Sequence, residues 1–198
     1  MSPAAVELRE FTLADGSFLM SWIPGPVELL TWAGPSFTWP LDEPQIAAYA
    51  AESAAPGRWS WMGVDSQTGQ VVGHASVRVD AKGGAGRLGR VLIAPEARGR
   101  GLGAGMLKEV LAVALDLRGL QRVELGVFSH NASAVRLYER LGFQVERVLP
   151  DVEQVEGRSW SVLQMSLACA DWASARGQQR EDDGGPVAQH HEASGMTP

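Results

Sequence analysis

Along the chain, short runs in which apolar residues alternate with polar ones are interleaved with stretches of period three to four, the mark of strands mixed with helices. Val6, Leu8, Phe11 and Leu13 predict a first strand over 6–13. Asp15 stands as the cap of a short helix reaching 23, and Pro24-Gly25-Pro26 breaks it. The stretch 27–41, with Trp32, Phe37, Trp39 and Pro40, carries no clear period and reads as irregular. Asp42 caps a second helix over 43–54, with Ile46, Tyr49 and Ala50 on one face. Runs over 58–64 and 70–79 flank Ser66-Gln67-Thr68-Gly69 as a hairpin, and a glycine-rich turn over 82–86 leads into a strand over 88–94. Leu102, Met106, Val110, Leu111, Ala114 and Leu117 then line one face of a long helix, with Arg118 in its last turn and Gly119 as its stop. A strand over 122–128, parallel to the previous one by the right-handed crossover, precedes a short helix over 131–141 and closing strands over 143–148 and 159–167. This pattern makes 1–175 a single domain. The polar, aperiodic remainder over 176–198 reads as a disordered tail.

The densest chemistry lies in VLIAPEARGRGLGAG, from Val91 to Gly105: a strand, a proline turn, two arginines, then glycines entering a helix. Glycines there leave the first helical N–H groups bare and let a ligand reach the backbone, which suits a pyrophosphate. A nucleoside-triphosphate loop would need a terminal Gly-Lys-Ser/Thr, which is missing. Gly99, Gly101 and Ala104 fit a dinucleotide fingerprint, with Glu124 in the place of the ribose-binding acid. Against it, Pro95-Glu96-Ala97-Arg98 separates the glycines from their strand, and Glu124 falls inside the next strand rather than at its end.

Composition narrows the partners. A net charge of −6 with no basic, aromatic-interleaved stripe argues against nucleic acid. The single Cys169 excludes an internal disulfide and a cysteine zinc site, so no metal is expected and a reducing compartment fits. The first ten residues hold acids and no apolar segment, and no apolar run reaches membrane-spanning length; the expectation is a cytoplasmic protein without a membrane partner.

Arg98-Gly99-Arg100-Gly101-Leu102-Gly103, followed by Asn131-Ala132-Ser133-Ala134-Val135-Arg136-Leu137-Tyr138-Glu139-Arg140-Leu141-Gly142-Phe143, resembles the two signature blocks of the GNAT N-acetyltransferase superfamily in order and spacing. The resemblance implies an α/β fold: a central mixed, mostly antiparallel sheet flanked by helices, with a V-shaped splay between its two central parallel strands. It also implies acetyl transfer from acetyl-CoA to a primary amine within a ternary complex. The implied coenzyme A contacts are Arg98 and the backbone of Gly99, Arg100, Gly101, Leu102, Gly103 and Ala104 at the pyrophosphate, Leu92 and Ile93 at the thioester carbonyl, and Asn131. Tyr138 would protonate the leaving thiolate, a task that suits a phenol of pKa about 10.

The base is open. The strand over 86–94 holds no acid, and Gly126 occupies the place where one N-terminal acetylating branch has its Glu. Glu124 and His74 are the local substitutes, and a water relay is the alternative. Without a strong base an α-amine of pKa about 8 is favoured over a lysine amine near 10.4, because far more of it is neutral at pH 7. The family places its first helices over the acceptor end, which assigns Trp32, Phe37 and Trp39, backed by Tyr49, to the substrate. Arg90-Val91-Leu92-Ile93, Leu125 to Asn131, Trp160 and Met165-Ser166-Leu167 look like the branch of ribosomal-protein N-terminal acetyltransferases. Expected partners are an amine acceptor, either a peptide N-terminus or a small molecule, with a homodimer open. A non-catalytic acyl-CoA-binding module and a nicotinamide oxidoreductase are the rival readings.

Overall fold

In the computed structural model, which describes residues 6–80 and 83–175, seven strands build one mixed sheet in the order β1-β2-β3-β4-β5-β7-β6. The strands are β1 Val6–Glu10, β2 Arg58–Asp65, β3 Val71–Val79, β4 Ala85–Ile93, β5 Arg122–Phe128, β6 Gln144–Val155 and β7 Arg158–Ala168. Helices α1 Gly16–Trp22, α2 Pro26–Ala33 and α3 Glu43–Ser53 precede the sheet's centre, α4 Leu102–Leu111 links β4 to β5, and α5 Ala132–Arg140 follows β5. The polar tail and the first five residues lie outside the described residues.

Glycine decides how the two faces are covered. A Cβ on Gly63 or Gly73 would meet Met106 Sδ at 2.8 and 2.9 Å, so both glycines let α4 settle directly onto β2 and β3. Strand alternation turns the neighbouring His74 to the opposite face, where Trp32 of α2 and Tyr49 of α3 pack around it. The apolar face predicted for the long helix is fully buried at Met106, Val110, Leu111 and Ala114, but Leu117, expected on the same face, is exposed.

The V-shaped splay is present and measurable. β4 and β5 pair in parallel only over Ala85–Arg87 with Arg122–Glu124, although β4 runs on to Ile93 and β5 to Phe128. Beyond that point β5 keeps its pairing with β7, and β4 keeps its pairing with β3. The departure occurs at Arg90, whose φ of +52° puts a non-glycine residue in the left-handed region while the β3–β4 register slips between His74 and Ser76. Such a bulge bends the strand that carries it.

Four predicted elements need correction. The first strand stops at Glu10, because Asp15 is drawn back to Arg9 (2.5 and 2.8 Å) and to the Thr12 N–H and hydroxyl; Asp15 makes no side-chain cap to α1. The stretch called irregular contains α2, begun by Pro26 at its first position. The long helix is α-helical only to Leu111; Ala112–Leu117 is π-helical, closed by Arg118 N–H donating to the Val113 carbonyl five residues back. The last hairpin is much longer than 143–148 and 159–167. Pro150 sits on an edge strand that tolerates it, a register slip between Leu149 and Glu153 absorbs the irregularity, and Glu156-Gly157 (φ +50° and +75°) turns the chain.

Gly73 faces a closed neighbourhood in which a Cβ would also lie 2.8 Å from the Leu92 carbonyl oxygen, a backbone atom that cannot step aside. Gly73→Ala is expected to lower stability by about 1–3 kcal/mol, read from urea unfolding; an unchanged midpoint would mean that α4 and β4 do not approach β3 this closely.

Candidate functional site

The glycine loop ends in an open mouth. Gly99 and Gly101 have φ of +74° and +79°, and a Cβ at either would meet nothing within 4 Å. Gly101 is the N-cap of α4 and brings no side-chain cap, so the first turn of the helix offers its N–H groups outward. An anionic diphosphate fits that surface by charge and by clearance. Gly103 differs from expectation. Its missing Cβ would press on Ile93 Cδ1 and Cγ1 at 3.2 Å, so this glycine serves the packing of α4 on β4, and only its N–H belongs to the mouth. Arg98 turns back to donate from Nε to the Ile93 carbonyl (3.2 Å), and Arg100 reaches Asp65 at 3.5 Å.

Backbone parity separates the two residues assigned to the thioester carbonyl. Ala94 N–H donates to Val72 on β3, so the N–H groups of Ala94 and Leu92 point toward β3 and that of Ile93 points into the gap left by β5. Ile93 is thus the free donor at the splay, and Leu92 is turned away from it.

Beside the splay lies a cavity of about 460 Å³. Thr31 to Ser36, Glu52, the start of β2 at Arg58, the end of β3, the first half of β4, Gly126 and Phe128 of β5, and the β6–β7 hairpin line it, with no residue of the glycine loop. Four arginines face it, Arg58, Arg78, Arg87 and Arg90, against two acids, Glu52 and Glu153. Glu52 is engaged by Arg58 and, at 3.5 Å, by Arg90. The Arg90 guanidinium also stands over the rings of Tyr49 (4.4 Å) and Phe37 (5.3 Å), which fixes the side chain of the strained residue. Glu153 has no ion pair among the described residues. Neither acid was legible as a site residue: Glu52 sits on a helix with no motif, and Glu153 follows Pro150 in what reads as loop.

Trp32 forms part of the cavity wall, stacked on Phe37 with centroids 5.5 Å apart, and its buried Nε1–H has no hydrogen-bond partner among the described residues. Phe37 lies behind it. Trp39 is 45% exposed and does not line the cavity, so the aromatic cluster expected at the acceptor end holds Trp32, Phe37 and Tyr49 without Trp39.

His74 and Glu124 are not in the cavity lining either. Glu124 pairs with Arg122 two residues earlier on the same strand. His74 has no exposure at all, and its protonation is dictated by its partners. The Arg90 carbonyl can only accept, so His74 Nδ1 donates to it at 2.8 Å; the other nitrogen then accepts from the Tyr49 hydroxyl at 3.1 Å. Tyr49 in turn accepts from Ser60 (3.0 Å), and Ser60 from Ser53 (2.9 Å). Burial among Phe11, Trp32 and Tyr49 pushes the imidazole pKa down to about 4, against the opposing pull of the Arg90 carbonyl. His74 is a neutral tie between β3 and the β4 bulge.

Tyr138 lies on the inner side of α5, edge-on to Phe143 at 5.8 Å. Desolvation raises the pKa of its phenol, which therefore stays protonated across the working range. Its neighbour Leu137 approaches the first turn of α4, 3.8 Å from a Cβ on Gly103. Asn131 caps α5, accepting the Ala134 N–H at 3.2 Å. Among the described residues no group of three His, Cys, Asp or Glu is placed to hold a metal ion, and no helix is long and apolar enough to cross a membrane.

Against known proteins, the acetyltransferase (GNAT) family matches residues 27–143. A mycothiol acetyltransferase of Salinispora tropica is 33% identical over 152 residues, covering 71% of this chain and 49% of that protein. A spermine/spermidine N(1)-acetyltransferase of Bacillus subtilis is 40% identical over 65 residues, 33% of this chain and 43% of its own. The chain thus spans about half the length, or less, of these curated relatives. Spermidine N-acetyltransferase from Vibrio cholerae, solved with CoA and spermine, superposes with a TM-score of 0.74 at 18% identity, covering 85% of this chain and 98% of that one.

The buried imidazole makes stability depend on pH. In the folded chain His74 titrates near 4, and in the unfolded chain near 6.5, so between these values the unfolded state binds the extra proton. Stability is therefore full above about pH 6.5 and falls on acidification toward pH 4, by about 3 kcal/mol in all and about 2 kcal/mol by pH 5. Urea unfolding at pH 7 and pH 5 should show that loss in the native chain and its near absence in His74→Gln. Equal losses in both would place His74 in contact with water.

Proposed function

This chain belongs to the GNAT family of acetyltransferases, and on that premise we propose that it moves the acetyl group of acetyl-CoA onto a primary amine held in the cavity beside the splay. The observation that carries the reading is the gap between β4 and β5, which lies between the open glycine mouth and a cavity lined by arginines and two acids. Acetyl-CoA supplies an activated acyl group as a thioester. The N–H groups from Gly99 to Gly103 would hold its diphosphate, Ala104 N–H being already given to the Gly101 carbonyl at 3.1 Å, and Ile93 N–H, free at the splay, would donate to the thioester carbonyl, a contact worth about 3 kcal/mol when charge develops there. Leu92 has no such role in this reading.

The transfer makes a C–N bond and breaks a C–S bond, so the amine nitrogen must lose a proton and the departing sulfur must gain one. Tyr138 is the proposed donor to sulfur, since its phenol keeps its proton well above neutral pH. Glu153 is the proposed acceptor from nitrogen, directly or through water, because it faces the cavity without an arginine partner. The surrounding guanidiniums act in the same direction by disfavouring an ammonium. These two features replace Glu124 and His74 as the answer to the missing acid, and they retain the expectation that a weakly basic α-amine is the better acceptor. The likeness of Leu125 to Asn131 to the ribosomal-protein branch rests on those residues alone; the relatives described above are named for mycothiol and polyamines.

Thiol release from acetyl-CoA in the presence of mixed amines tests the activity, and its absence despite tight acetyl-CoA binding would favour the non-catalytic module. Tyr138→Phe should lower kcat by about 10²-fold or more with little change in acetyl-CoA affinity by calorimetry; equal turnover would make Tyr138 a packing residue. Glu153→Gln should lower kcat/KM by a similar factor near neutral pH, with the deficit closing as pH rises to the pKa of the amine. A pH-independent deficit would assign Glu153 to binding instead.

A further inference from the structure

The sheet places three of the cavity's arginines in one line. Arg58 of β2 stands opposite Arg78 of β3, and Arg78 stands opposite Arg87 of β4, each as a direct cross-strand partner on the face that lines the cavity. Directly opposed residues carry their Cβ atoms about 5 Å apart, and like charges so placed repel. Arg58 is relieved by Glu52. Arg78 and Arg87 have no carboxylate within 4.0 Å among the described residues; Glu124, next in register to Arg87, is held by Arg122, and Glu153 is the remaining acid on the wall. Gly126 keeps the end of the row open: a Cβ there would lie 3.2 Å from the Arg87 guanidinium. A chain with net charge −6 therefore concentrates unneutralised positive charge on the one wall that an acceptor would touch.

We infer that Arg78 and Arg87 form a clamp for an oxyanion, so that the acceptor is a small amine that also carries a carboxylate, of the amino-acid class, and is not a polyamine. This rests on the acetyltransferase reading above and adds the substrate class. Paired guanidiniums bind a carboxylate through short, charge-assisted hydrogen bonds, and the bound anion removes the repulsion between them. A polycation meets the opposite field and would have to displace the arginines from Glu52.

The test uses the full chain with acetyl-CoA and a panel of L-amino acids, each as free acid and as α-amide, together with spermidine. The free acids should exceed their amides by roughly tenfold or more in kcat/KM, the scale of a charged hydrogen bond. Arg78→Gln and Arg87→Gln should each erase most of that preference, turnover of the free acids falling by a clearly larger factor than that of the amides. Melting supplies a second readout. Without ligand both variants should melt at or above the native temperature, because a like-charge contact has been removed, and the N-acetylated acids should raise the melting temperature of the native protein alone. Amides or spermidine used as well as the acids, or an acid preference that survives both substitutions, would overturn the clamp. If no amine releases thiol, the acetyltransferase reading fails; melting shifts by the acids that vanish in both variants would still uphold the clamp, and their absence would reject it.

Discussion

The hydrogen bond from His74 to the Arg90 carbonyl ties together everything that makes the cleft. Arg90 adopts a backbone conformation that costs a side-chain-bearing residue about 1–2 kcal/mol, and that cost needs a structural reason to persist. The carbonyl it turns inward finds a donor in a fully buried imidazole, and the guanidinium it turns outward finds two aromatic faces and Glu52. With β4 bent at this residue, its far half leaves β5, and the N–H of Ile93 is released from sheet pairing. One buried neutral contact thus holds open a gap that backbone pairing would otherwise close.

The two sides of the gap are built from different materials. The mouth on the α4 side is made of main chain and positive-φ glycines, so its affinity for a diphosphate depends on conformation. The cavity on the other side is made of side chains from α2, α3, four strands and the last hairpin, so its preference depends on residue identity. Burial keeps Tyr138 protonated and His74 neutral for the same reason, the cost of placing a charge in a dry interior, yet one group keeps a transferable proton and the other is locked between partners.

Sequence alone carried the elements with strong periods and clear caps. Glu43–Ser53 with its Asp42 cap, Arg122–Phe128, and Ala132–Arg140 with its Asn131 cap all stand within a residue or two of their predicted limits, because local signals determine them. The glycine mouth was equally visible. What stayed hidden depends on register. Gly103 reads like its glycine neighbours until its direction toward Ile93 is known, and Leu92 reads like Ile93 until the parity of the β3–β4 ladder is known. His74 looks like a titrating base in a list of residues and becomes a strut when Phe11, Trp32 and Tyr49 close around it. Glu153 and the Arg58–Arg78–Arg87 row are cross-strand facts, and Pro150 concealed the strand that carries the first of them.

The run of hydroxyls behind His74 has a further consequence. From Ser53 through Ser60 and Tyr49 to His74 and the Arg90 carbonyl, every hydrogen bond points the same way, because the final acceptor has no proton to give. The chain of dipoles is therefore polarised along one direction, with each bond strengthening the next. Reversing any single hydroxyl would leave two donors or two acceptors facing each other somewhere along the line. The bend in β4 is thereby tied to the seating of α3 on β2, and a disturbance at Ser53, at the far end of that helix, would be felt at the strand that borders the gap.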